Sequence, residues 1–204
     1  MQALYDTDYE RNKITLIQSV LLMSFWYADT DDRNGSCHWV GVAITLCQTI
    51  GMHRNPYATQ GPSRSLSPKD RRLWQRLWWC CVYRDVWFAA GLGRPMRVRL
   101  EDCDTPMPND SSIADVGPSI SQSVRDRYFP GGTEDLGLLW RRLLKLTVEL
   151  AGVLAEHYLA RPSSFDMVKL EATEARIRAL SIMPTNNNCR FYRLHALQLE
   201  LYLE

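Results

Sequence analysis

One stretch of this chain carries its own start and stop signals. Ser67-Pro68 stands at one end, and Gly91, Gly93 and Pro95 stand at the other. A serine oxygen accepts from open N–H groups of a first turn, proline fits the first helical position, and Asp70 lies three residues after the serine, as in a capping box. Glycine tolerates the left-handed turn that ends a helix, and Pro95 fixes an extended exit. Between these signals, Lys69, Arg72 and Arg76 share one side and Leu73, Trp74 and Leu77 another. From Leu77 to Ala90 nearly every position is apolar, apart from Arg84 and Asp85. The pattern predicts a helix whose first half is at the surface and whose second half is in the core. Arg84 and Asp85 then need partners, because buried unpaired charge is costly. The expected fold class is all-α: an irregular multi-helix domain with a central aromatic-rich buried helix.

The other periodic segments agree. Leu16, Ile17, Val20, Leu21, Ser24 and Phe25 recur at helical spacing and predict a helix over Tyr9–Tyr27. Ser36 is the candidate cap of a second helix reaching about His53, where Gly51 and then Pro56 stop it. Residues 55–67 form a loop. Met96–Asp110 reads as an irregular surface strand, and Asp110–Gly132 as a long loop rich in Ser, Gly and Asp. Helices resume over Thr133–Ala160, Ser163–Ile182 and Asn187–Glu204. Ser163 or Ser164 is the expected cap of the second of these, with Asp166 in its first turn. The last helix runs uncapped into Glu204, as at a cut within an element. One domain over residues 1–204, incomplete at both ends, is the expected organisation.

Charge excludes one class of function. The 204 residues carry 24 basic and 23 acidic side chains, a net charge of +1. A chain-wide grip on nucleic acid needs a basic surplus. The charge is nevertheless uneven. Residues 64–99 hold nine basic and two acidic groups, a net of +7, and residues 100–139 hold eight acidic and two basic, a net of −6. These are expected to be solvated faces with some mutual pairing. No cationic start precedes an apolar run, so no export signal is read. The longest apolar stretch, Leu16–Ala28, falls short of the roughly 20 residues that span a membrane. An intracellular protein with no membrane contact is expected.

Six cysteines, Cys37, Cys47, Cys80, Cys81, Cys103 and Cys189, include no C-x-x-C pair. They read as reduced, structural residues, and no metal site is expected in this chain. His38, His53, His157 and His195 are scattered and complete no nucleophile or zinc motif. Asp29, Asp31 and Asp32 resemble part of the magnesium-binding cluster of all-α prenyl-diphosphate enzymes, but the second carboxylate cluster is missing. A solvated turn explains them better, and no catalytic residue is assigned. Trp74, Trp78, Trp79, Tyr83, Trp87 and Phe88 put a large aromatic area on one helix. They read as core, and Trp74, Trp78, Tyr83, Trp87 and Phe88 as the candidate wall of a pocket for an apolar small effector.

Arg76-Leu77-Trp78-Trp79, then five residues, Asp85, seven more, and Gly93-Arg94-Pro95 resembles the signature of the fungal-specific transcription factor domain. This is the middle homology region of fungal zinc binuclear-cluster regulators. The tract Leu100–Pro108 (LEDCDTPMP), with Asp104 and Pro106, is similar to the segment that follows. Gly41–Pro56 (GVAITLCQTIGMHRNP) is similar to the family's helix ending Gly-Leu-His-Arg before a proline, with Met52 in place of Leu. Thr15–Phe25 resembles the leucine-rich helix before it. The resemblance covers residues 10–110, and Val86 departs from the arginine often found after the Asp. It implies an all-α regulatory domain acting in the nucleus through intramolecular contacts, co-regulators, a homodimer partner or a small effector. It implies no enzyme activity. Zinc and DNA are expected only at the family's six-cysteine module, which these residues do not contain. It implies mostly structural roles for Arg76, Trp78, Trp79, Asp85, Gly93, Arg94, Pro95, Asp104 and Pro106, with Arg94 capping helix-end carbonyls or pairing with a carboxylate. A stand-alone effector-binding or dimerising protein is the alternative, and an all-α isoprenoid-type enzyme a more distant one.

Overall fold

The computed structural model describes residues 5–25, 35–58, 66–109, 121–128, 133–157 and 167–181. The chain divides into two compact units, Met1–Met107 and Pro108–Glu204. Six α-helices and one 3-10 turn, and no strand, occur among the described residues. The fold is all-α.

In the first unit, α1 (Lys13–Met23) and α2 (Ser36–Thr49) both pack on α3 (Pro68–Leu92) and on each other. Asn12 starts α1: its side-chain oxygen accepts from the N–H groups of Ile14 at 2.9 Å and Thr15 at 3.3 Å. The helix therefore begins after Tyr9, at the residue that can satisfy its open donors. It buries Ile17, Val20 and Leu21. The cap of α2 is Gly35, with no side-chain bond, rather than Ser36, which is already helical and buried. This helix stops at Thr49. Gly51 takes a positive φ of 85°, and the Met52 N–H reaches back to the Cys47 carbonyl at 2.9 Å, closing a Schellman turn before His53.

The start of α3 is the one its sequence signals. The Ser67 hydroxyl oxygen accepts from the Asp70 N–H at 3.2 Å, and the hydroxyl donates to Asp70 Oδ2 at 2.6 Å. The helix buries Trp74, Leu77, Trp78, Val82, Val86 and Ala89. Against them stand Ile17, Val20, Val40, Ala43, Ile44 and Cys47 from α1 and α2. α3 is the central, aromatic-rich element of this unit.

Residues 96–109 form no strand. Leu100–Asp102 is a 3-10 turn, and the tract is held by side chains and isolated backbone bonds instead of a ladder. The Thr105 hydroxyl donates to the Met52 carbonyl at 2.7 Å, and the Asn55 N–H donates to Asp104 Oδ1 at 2.8 Å.

In the second unit a short helix, α4 (Gln122–Tyr128), lies inside the stretch expected to be a structureless loop. α5 (Thr133–His157) buries Leu143, Leu144, Leu146, Leu150, Ala151 and Val153, and packs on α6 (Met167–Ser181), which buries Ile177. Arg176 and Glu149 pair across these two helices at 3.0 Å. The expected helix over residues 187–204, the caps at Ser163, Ser164 and Asp166, the cluster Asp29, Asp31 and Asp32, and Cys189 and His195 lie outside the described residues.

Candidate functional site

Four of the signature residues, Asp85, Gly93, Arg94 and Pro95, belong to the turn where α3 ends. Gly93 adopts a left-handed φ of 60°, which a side chain would oppose, and the Arg94 N–H reaches back to the Ala89 carbonyl at 3.0 Å. The chain reverses and, through Pro95, passes beside the helix it has just left. There Asp85, 1% exposed, receives it. Asp85 Oδ2 accepts from the Arg97 N–H at 2.7 Å and the Val98 N–H at 2.9 Å. The Arg97 guanidinium adds an ion pair to Oδ1 at 3.6 Å. Burial pushes the Asp85 carboxyl above its ordinary 3.8, opposed by the Val98 and Arg97 N–H groups and by the Arg97 charge. A buried carboxylate thus serves as the acceptor for two backbone donors that no ladder satisfies.

Arg97 also touches α2. Both its terminal nitrogens lie 3.4 Å from Cys37 Sγ, and an added Cβ at Gly41 would sit 3.1 Å from its Nε. Gly41 leaves room for that side chain. Arg94 Nη1 lies 3.7 Å from Cys37 Sγ, and the Arg94 backbone N–H does the capping.

Arg84, the other charge embedded in α3, donates to the Ser24 carbonyl and to Ser24 Oγ. Its guanidinium lies 3.9 Å from the centre of the Phe25 ring and 4.5 Å from that of Phe88. The tract after the turn is fixed by α3 as well: the Pro106 carbonyl accepts from Trp79 Nε1 at 2.9 Å and Gln75 Nε2 at 2.7 Å. Asp104 is exposed and pairs with Arg54 at 3.3 Å. Trp78 is buried beside His53, ring centres 6.0 Å apart. Arg76 is half-buried near Cys80, where its charge favours the thiolate against burial, which pushes that thiol up to about 12.

A concavity of about 490 Å³ opens elsewhere in this unit, lined by Ile14, Ile50, Leu73 and Trp74, with Lys13 and Asp70 among its polar groups. Of the five aromatic residues expected to form a pocket wall, Trp74 lines it. Trp78 is in the core, Tyr83 and Trp87 face each other with ring centres 6.2 Å apart, and Phe88 carries Arg84. The aromatic positions share one helix but point to different sides of it. The residues reasoning from sequence did not single out are Arg97, Val98 and Gly41. The one available signal was the buried Asp85, which required a partner of unknown position.

The family profile described as "Fungal specific transcription factor domain" matches residues 2–153, three quarters of the chain. The chain belongs to this family. Cutinase transcription factor 1 beta of Fusarium vanettenii is 47% identical over 110 residues, 54% of this chain and 12% of that protein. The acetamidase regulatory protein of Aspergillus fumigatus is 42% identical over 120 residues, 57% of this chain and 15% of that protein. Cutinase transcription factor 1 alpha of the same Fusarium is 38% identical over 127 residues, 61% of this chain and 13% of that protein. The chain therefore spans about an eighth to a seventh of these relatives, which are transcription regulators by name. No solved structure matches it significantly.

Among the described residues, no three His, Cys, Asp or Glu side chains are placed to hold a metal ion. Nor is any described helix of the domain long and apolar enough to cross a membrane.

Proposed function

We propose that this chain is the regulatory domain of a nuclear fungal transcription factor. It adjusts transcription through intramolecular contacts, co-regulators, a homodimer partner or a small effector. DNA is contacted by a zinc-cluster module outside these 204 residues. The observation that carries the reading is the family match over residues 2–153. The geometry supports it, because the signature residues are engaged in scaffold contacts: Asp85 with the chain after Gly93, and Trp79 with Pro106. Such a domain works by the shape it presents, and catalysis has no part in the reading.

The test uses the full-length native gene product in its own cells. A D85N version is expected to change transcription of its target genes while chromatin occupancy stays as in the wild type. Unchanged transcription, with the variant folded and present at normal level, overturns the reading. The concavity beside Trp74 favours a second reading, a stand-alone effector-binding protein. In that case the native mass is that of these 204 residues, and no DNA-binding module copurifies with them.

A further inference from the structure

Two core thiols take no part in the contacts around Asp85. Cys47 is in the last turn of α2 and Cys81 is in the middle of α3, and both are 0% exposed. Their sulfurs are 3.6 Å apart, in S–H···S contact. That is about 1.5 Å longer than a disulfide bond, a gap that small side-chain rotations and helix shifts can close. The bond to Cys47 and then burial push the Cys81 thiol well up, so the closed core keeps the Cys81 sulfur protonated and inert. Reaction requires a local opening of α2 from α3.

We propose that Cys47 and Cys81 are a redox pair, which a low-molecular-weight disulfide such as glutathione disulfide converts to one intramolecular disulfide joining α2 to α3. In the open state one core thiolate attacks the glutathione disulfide, forming a mixed disulfide and releasing one glutathione thiolate. The second core thiolate then attacks the mixed disulfide and releases the other. The core pair gives up two electrons, the glutathione disulfide gains them, and the two core protons pass to the two glutathione thiolates. The new bond links residues 34 apart in sequence, so it restricts the unfolded chain and holds α2 on α3. The residue pair is placed for this by packing alone, since the two cysteines lie on different helices.

The test is made on the full-length protein under native conditions. It is incubated with glutathione disulfide, alkylated, digested with trypsin without reduction, and analysed by mass spectrometry. The expected result is a link between the peptide ending at Arg54 and the peptide ending at Arg84. Because Cys80 and Cys81 share the second peptide, variants assign the bond. C80S keeps the link, whereas C81S and C47S lose it. Oxidation is expected to raise the Tm by roughly 5 °C, reversed by dithiothreitol. Unlinked peptides in oxidised, still helical protein overturn the proposal, as does a link that survives C81S, a link formed only between two chains, or an unchanged Tm.

Discussion

Asp85 and Val98, both buried, are joined by a hydrogen bond of 2.9 Å from the Val98 N–H to Asp85 Oδ2. With the Arg97 N–H on the same oxygen, this bond ties the chain after the Gly93 turn to the helix before it. The carboxylate is worth keeping buried because two backbone donors otherwise have no acceptor there. D85A is expected to lose about 2–4 kcal/mol of stability, by stranding those donors. D85N keeps one oxygen acceptor and is expected to lose about half as much. Urea denaturation of the three proteins checks the order, and a D85A variant as stable as the wild type would contradict it.

Gly41 and Arg97 compete for one space. An alanine at 41 gains helix propensity, up to about 1 kcal/mol, but its Cβ crowds a flexible, 40% exposed arginine and pulls it from Asp85. The expected outcome is a context effect. G41A is close to neutral in the wild type and stabilising by about 0.5–1 kcal/mol in an R97A background. A double-mutant cycle measures this, and equal effects in both backgrounds would show that the two residues do not couple.

Arg84 is held by a carbonyl and by two aromatic faces, a geometry that suits a planar guanidinium. R84K retains the charge and loses the fit. The expected loss is about 1–2 kcal/mol, read from thermal unfolding. F25A, which removes one face at the surface end, is expected to cost less than R84K.

Cys80 predicts an alkaline limit. Its thiol is pushed from 9.0 to about 12 in the folded chain, mainly by burial. The folded state therefore holds this proton where the unfolded state has released it. Stability is unaffected below the unfolded value and falls as pH rises between 9.0 and about 12. The slope is about 1.4 kcal/mol per pH unit within that window. C80A should flatten the fall between about pH 9 and about pH 10.5, with little change near about pH 7. Urea titrations at several pH values measure it, and identical slopes in the two proteins would refute the assignment.

Much of this domain was legible before its structure. The ends of α3 were written as Ser67-Pro68-Lys69-Asp70 and as Gly93, because caps and left-handed turns depend on residues within a few positions of each other. Helix α1 was legible as an element, although its start moved to Asn12, whose side-chain oxygen accepts from the Ile14 and Thr15 N–H groups. Ser36 shows the limit of cap reasoning: the preceding glycine took the extended position and left the serine inside the helix. The tract after Pro95 looked extended, but its partners are side chains on α3 and the end of α2, so no ladder forms. The aromatic residues shared a helix in sequence, yet Trp74 alone of the five reached the concavity.

The helical class, the capped span of α3, the need for Asp85 and Arg84 to find partners, and the family were all readable in the order of the residues. All of these rest on local pattern or on residue identity. The tertiary structure decided which partners answered. Arg97 and Val98 reached Asp85, Ser24 and Phe25 reached Arg84, and Cys47 met Cys81. Those pairings depend on how α1, α2 and the returning chain are packed around α3. Packing joins residues between 12 and 60 positions apart, on segments that no single helical periodicity connects.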